Sequence, residues 1–392
     1  MLKTVLLRMF TFAVIEKKLH MKFIVSTTAL LRNLQTVNGV VSPNTVLPIL
    51  EDFLFVVEKN KLTISGTDLE TSITTWMDIE SKSEGKVAIP ARILVDYLKT
   101  LPEQPLTFSI EEESCQVEIT TDRGKYKLNG ENGDDFPRVS SDDKLSDINL
   151  PSGVLQKVIN KTVFATGNDE LRPPMTGVLF QLNKDGINFV ATDAHKLVRY
   201  SRTDAKTDNP ASLIMPKKAL NLLKANLPGE QTQVTISYNS SFAFFSYNNV
   251  KLICRLIEGR YPDYNAVIPT ENPNRLTINR ADFLNTLRRV IIFSNKTTHQ
   301  VILKIKGNEL MVNAQDLDFS NEANERLDCT YEGDNMEIGF NAKFLLEMLN
   351  AMDNEEVRME LSTPNRAGLL LPTESDEAED LLMLVMPVMM NV

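Results

Sequence analysis

Gly259-Arg260-Tyr261-Pro262-Asp263-Tyr264 sets the frame of the chain. Its Tyr261-Pro262 is the middle of three pairs in which an aromatic or apolar residue precedes proline. Phe136-Pro137 lies 125 residues before it and Met386-Pro387 lies 125 residues after it. A second marker is an aspartate closing a strand-like run, at Thr67-Asp68, Thr192-Asp193 and Gln315-Asp316, with steps of 125 and 123. Helix starts at Pro90, Pro216 and Asn341 give a third marker, with steps of 126 and 125. Three chemically unrelated markers on one period identify an internal repeat. Units of this length exceed those of a stacking solenoid and can each hold a core. The expected domains are 21–145, 146–270 and 271–392.

Each copy divides again. Leucines at helical spacing begin near Thr27, Pro90, Pro151, Pro216, Asn279 and Asn341, at intervals of 61 to 65 residues. Pro90, Pro151 and Pro216 suit a first helical turn, where a missing N–H costs nothing. Strand-like runs follow each helix, as at Leu54 to Val57, Val117 to Thr121 and Val301 to Lys306. Arg123-Gly124, Asp185-Gly186 and Gly307-Asn308 mark hairpins between such runs. The reading is an α+β chain of three repeated domains, each with two helices and antiparallel sheets.

Composition narrows the function. The 392 residues carry 42 Lys plus Arg against 52 Asp plus Glu, for a net charge of −10. Hydrophobic residues make up 42%, which excludes a disordered chain. Three cysteines and three histidines stand far apart without metal-ligand spacing, so no zinc site is expected and the thiols read as reduced and cytosolic. Residues 1–20 read as a leader or mis-started extension. Their apolar stretch, Met9 to Ile15, is too short to span a bilayer and breaks at Glu16-Lys17-Lys18.

The charge is unevenly placed. The six helical segments together carry +9, which leaves −19 for the remainder. The cations are Arg32, Arg92, Lys99, Lys157, Lys161, Lys217, Lys218, Lys224, Arg280, Arg288, Arg289 and Lys343. If the helices share one face, that face meets a polyanion, and Lys and Arg contact phosphates without reading bases. Tyr97, Phe164, Phe283 and Phe344 read as core, so no base-stacking platform is expected. The implied partner is duplex DNA backbone, without sequence preference.

Catalytic patterns are missing. There is no phosphate-binding G-x-x-x-x-G-K-[ST], no G-x-G-x-x-G and no G-x-S-x-G. Asp193 and His195, two apart in a strand, would share a face, but no third partner is evident and the other repeats carry Leu69-Glu70 and Leu317-Asp318 there. Structure or peptide contact explains them better than acid–base chemistry. Glu374, Asp376, Glu377, Glu379 and Asp380 read as a solvated loop. No enzyme activity, metal or cofactor is expected.

From Met21 to Met390 the chain resembles the beta subunits of bacterial DNA polymerase III, the replicative sliding clamps. The resemblance rests on MKFIV at 21–25, LPIL at 47–50, GTDLE at 66–70, IPAR at 89–92, ATDAHKL at 191–197, GRYPDY at 259–264 and LVMPV at 384–388. It implies a head-to-tail homodimeric ring of six domains, about 60° each, with helices around the DNA and an acidic exterior. It implies a junction at which Tyr126 and Leu128 meet Ile292 and Phe293 of the other chain. It also implies a groove that takes short peptides of the polymerase catalytic subunit, the clamp loader, other polymerases, mismatch-repair proteins and ligase. Met175, Thr192, Ala194, His195, Lys196 and Leu197 belong to that groove, with Pro262, Val267 and Phe344. The tail Leu384, Val385, Met386, Pro387, Val388 and Met389 completes it. Arg172 joins Arg92, Lys217 and Lys218 as a backbone contact. The chain departs from the family pattern at Ala194 and Lys196, where Gly and Arg are usual, and at Ala266, where a basic residue is common. A linear hub of three like domains that binds peptides without encircling DNA is the competing reading.

Overall fold

The computed structural model describes residues 20–43, 46–139 and 145–390. Apart from His20, which opens the first strand, the leader expected at 1–20 lies outside them. The chain falls into two compact units that part after Val139.

The first unit holds helices α1 (Thr27–Asn38) and α2 (Ala91–Leu98), which pack on each other. One of its sheets runs Glu80–Ser81, His20–Ser26, Pro105–Glu111, Gln116–Thr120, Lys125–Asn129 in spatial order, so Lys125–Asn129 is an outer edge. The other carries Glu131–Asn132, Gly85–Pro90, Asp52–Glu58, Lys61–Thr67 and Thr71–Asp78. The pairs described within both are antiparallel. Phe23, Phe55 and Phe108 meet in its core, the first and last stacked with centroids 4.9 Å apart.

The second unit contains helices α3 (Ser152–Thr162), α4 (Lys217–Asn226), α5 (Arg280–Val290) and α6 (Ala342–Asn350). A nine-stranded sheet runs through it. Its centre is the antiparallel pairing of Lys196–Arg202 with Glu379–Val385, in which Lys196 faces Val385 and Arg202 faces Glu379. That pairing joins the second sequence copy to the third within one compact unit. A four-stranded sheet follows, with Asn321–Asp328 on its outer edge.

The helices begin one residue after the sequence markers, except α1. Pro90, Pro151 and Pro216 each end a strand and stand just before the helix rather than within its first turn. Asn279 and Asn341 cap α5 and α6, accepting from the backbone N–H of Asp282 and Lys343. The three glycine-marked hairpins form where expected. Gly186 and Gly307 take positive φ values of 157° and 57°, which a side chain rarely tolerates.

Candidate functional sites: an apolar groove and a row of basic helices

The groove is built around the turn between Ile187–Thr192 and Lys196–Arg202. Asp193 and His195 therefore sit in a tight corner, not along a strand as the sequence reading had them. The Asp193 Oδ1 accepts from the backbone N–H of His195 and of Lys196, both at 2.9 Å. The Thr192 hydroxyl donates to the Lys196 carbonyl at 2.8 Å and accepts from Ala194 N–H at 3.2 Å. These local bonds hold Ala194 at φ 76°, a conformation that glycine would adopt with less strain. Asp193 is thus occupied in shaping the turn.

Strand alternation then sorts the side chains. Leu197 and Leu384, paired across the joint, enter an apolar cluster with Leu179, Ile214, Tyr261 and Tyr264. Lys196 points the other way. It is 5% exposed, and its ammonium sits 3.0 Å from Asp193 Oδ2, 2.8 Å from Glu347 Oε2 and 4.5 Å from the Phe344 ring centroid. A buried lysine needs such partners. Phe344 also stacks on His195, with centroids 6.2 Å apart. Phe344 is therefore not the core residue that helical spacing indicated; it is half-buried at the groove.

The tail closes the arrangement. Met386 N–H donates to the His195 carbonyl and Val388 N–H to the Gly339 carbonyl, both at 2.8 Å. Gln300 Nε2 reaches the Met389 carbonyl at 3.4 Å. Val385 is buried, Pro387 and Val388 are half-buried, and Met386 and Met389 are exposed. Pro262 and Val267, both exposed, neighbour Tyr261 and Ile268, which pack on the Leu197–Leu384 cluster. Met175 is buried, and its carbonyl accepts from Gly167 N–H beside Asp193. The result is an apolar floor with adaptable methionines on its lip and no nucleophile–base pair. Sequence reasoning missed Glu347, the partner of Lys196, because nothing near it in the chain signals a long-range ion pair.

The basic residues lie along the helices of each unit. In the second unit α3 packs on α4 and α5 on α6. A cleft of about 400 Å³ is lined by Lys157, Asn160 and Phe164 of the α3 segment, Lys224 of α4, and Glu347 and Asn350 of α6. Segments of α3, α4 and α6 thus border one cleft, and α5 packs on α6.

Lys217 is half-buried and donates to Asn168 Oδ1 at 3.3 Å; Lys218 and Lys224 are exposed. Arg32, Arg92 and Lys99 are exposed on α1 and at the two ends of α2. Several cations have carboxylate partners. Lys157 donates to Glu379 at 2.9 Å, which raises its ammonium above the usual range. Arg172 donates to Asp169 at 2.8 Å and holds that carboxyl below the usual range. Arg289 does the same to Glu325, while Arg288 reaches Asn350. Lys99 stands 3.7 Å from Asp96.

Lys161 corrects the sequence reading. It is 7% exposed, and its ammonium is held by Asp353 at 3.1 Å and the Ala351 carbonyl at 3.3 Å. It ties α3 to the end of α6 and does not present its charge to a ligand.

The residues assigned to a chain junction are on the surface. Tyr126, Ile292 and Phe293 are exposed and Leu128 is half-buried; Tyr126 packs on Tyr97 with centroids 4.5 Å apart. Among the described residues there is no group of three or more His, Cys, Asp or Glu placed to hold a metal ion. No helix among them is long and apolar enough to cross a membrane.

Comparison with known proteins agrees with this architecture. Residues 21–140 match the N-terminal domain of the DNA polymerase III beta subunit, residues 149–263 its central domain and residues 265–387 its C-terminal domain. A beta sliding clamp of Pseudomonas aeruginosa is 30% identical over 366 residues, covering 93% of this chain and 99% of that protein. A crystal structure of a sliding clamp from the same organism, bound to griselimycin, superposes with a TM-score of 0.89 at 28% identity, covering 94% of this chain and all of that one. The sliding clamp of Bacillus subtilis gives a TM-score of 0.90 at 25% identity, covering 95% of this chain and all of that one. The three repeated domains, the ordered motifs and these likenesses place the chain in the DNA polymerase III beta subunit family, the beta sliding clamps.

Proposed function

We propose that two copies of this chain close head to tail around duplex DNA and slide on it, carrying a polymerase held in the groove. The protein is a non-catalytic processivity factor. The observation that carries the reading is the joint between Lys196–Arg202 and Glu379–Val385. There the strand that follows the aspartate marker of copy two pairs with the strand that precedes the proline marker of copy three. The corresponding strand of copy three, Asn321–Asp328, is a sheet edge among the described residues. Its counterpart is the Lys125–Asn129 edge of a second chain. Head-to-tail contacts of this kind close into a ring when the rotation per unit permits. Tyr126 and Leu128 then meet the partner's Ile292 and Phe293. Domain limits of 21–145, 146–270 and 271–392 follow from the same repeat.

Arg32, Arg92, Lys99, Lys157, Arg172, Lys217, Lys218, Lys224, Arg288 and Arg289 supply weak, numerous phosphate contacts, which are salt-dependent and indifferent to sequence. Lys161 is left out because it is buried. Retention therefore comes from topology. The groove takes apolar anchors of short peptides, each contributing roughly 1.5–3 kcal/mol before ordering costs. Its partners are the polymerase III catalytic subunit, the clamp loader, other polymerases, mismatch-repair proteins and ligase, in the cytoplasm at the nucleoid. Opening the ring falls to a separate ATP-driven loader.

Gel filtration tests the assembly. A ring elutes as a dimer of the 44.2 kDa chain, whereas a linear hub elutes as the monomer.

A further inference from the structure

The three copies carry the same corner after their aspartate markers, but the third is built differently. In copy one Asp68 Oδ1 accepts from Glu70 and Thr71 N–H, Leu69 takes φ 78°, and the next strand starts at Thr71. In copy two Asp193 does the same for His195 and Lys196, where the next strand starts. In copy three Asp316 is buried and accepts from Asp318 N–H at 3.2 Å, yet the strand resumes only at Asn321. The corner is two residues longer. Its extra length presents Leu317 and Phe319, which are 78% and 72% exposed. Leu69, at the matching place in copy one, is 45% exposed.

The lengthened corner leads directly into the Asn321–Asp328 edge. The turn Ile291–Phe293, with exposed Ile292 and Phe293, packs on that same strand. Four large apolar side chains thus flank one edge strand. The strand itself carries Glu322, Glu325 and Asp328 against Arg326, while Lys125–Asn129 carries Lys125 and Lys127 and no acid. The two edges are complementary in charge.

Copy two supplies the template for what the corner touches. There the His195 carbonyl accepts from Met386 N–H, the first residue past the paired strand. In copy two the corner thus meets the chain just beyond the strand that its own strand accepts.

We infer that Leu317 and Phe319 dock on a second copy of this chain, over the end of its Lys125–Asn129 strand and the turn that follows at Gly130. They form an apolar latch outside the Tyr126–Phe293 contact, and they account for a lengthened, solvent-facing corner found in the one copy whose strand is left open. This inference rests on the ring reading above.

The test is sedimentation equilibrium of the full-length chain over a dilution series, with L317S/F319S against the unaltered protein. The dimer dissociation constant rises about tenfold or more in the variant, the size expected of buried aromatic anchors. A chain in which Phe319 and Ser320 are deleted, restoring the corner length of copies one and two, weakens the dimer in the same direction. That second variant covers the case in which the serine variant misfolds, which thermal unfolding reports. A dissociation constant within twofold of the unaltered protein in a folded variant overturns the latch and leaves the ring standing; it would assign Leu317 and Phe319 to some other partner. An unaltered protein that stays monomeric throughout the series instead overturns the ring reading.

Discussion

The joint at Lys196–Arg202 and the edge at Asn321–Asp328 occupy the same place in two copies of one repeat, and their side chains differ. The joint is apolar on both faces: Leu197 and Leu384 on one, Val198, Tyr200, Leu381 and Met383 on the other, all buried. Ion pairs then pin one end of it. Arg202 binds Glu379 and Asp204, Lys157 binds Glu379, and Arg199 binds Asp380 at 2.7 Å. The edge alternates exposed and half-buried positions and is largely polar: Asn321, Glu322, Asn324, Glu325, Arg326. A joint within the chain is permanent and can be as apolar as a core. An edge that must exist in water before its partner arrives keeps its strand polar and confines apolar surface to a few anchors. On the ring reading proposed above, the difference teaches that a junction between copies is built to form and part, whereas the joint within the chain is not.

The largest effect is expected from attacking the open junction. Tyr126→Asp places a charge in an apolar contact and is expected to weaken the dimer by about a hundredfold or more, leaving a folded monomer in sedimentation. An undisturbed dimer would mean that the two kinds of junction do not differ as described. The next effect comes from the closed joint's outer end. Removing the chain from Met386 onward is expected to abolish capture of polymerase peptides in a binding assay while leaving the dimer intact, because the last paired residue is Val385. Loss of the dimer would assign the tail to the chain junction. A moderate effect is expected on the basic helices: K217E/K218E/K224E should lower DNA affinity several-fold and flatten its salt dependence, without altering either junction. The smallest is Lys157→Ala. Arg202 still neutralises Glu379, so the unfolding midpoint should fall by no more than the equivalent of about 1 kcal/mol.

Much of this is legible in the sequence itself. The period came from Pro137, Pro262 and Pro387, and the helix starts were read to within one residue because proline and asparagine mark them chemically. The uneven step of 123 residues at Asp316 was visible too. Asp316 then lies 25 residues before Asn341, where Asp193 lies 23 before Pro216, and those two extra residues match the lengthened corner; only the fold reveals that they face solvent. Lys161 and Glu347 were misread or missed for a different reason. Their roles depend on partners distant in sequence, Asp353 and Lys196, and charge counting along a helix treats every lysine as solvated. Helical spacing alone makes Phe344 core while the family resemblance puts it in the groove, because spacing cannot tell a core face from a groove that faces a tail.

The most direct measurement of the central claim is retention on DNA of different topology. The protein is loaded onto nicked circular duplex, unbound protein is removed, and half of the sample is cut once with a restriction enzyme. A ring held by topology stays on the circle through repeated washing and is lost from the cut DNA within the time needed to slide off its ends. Equal retention on circular and cut DNA would contradict it.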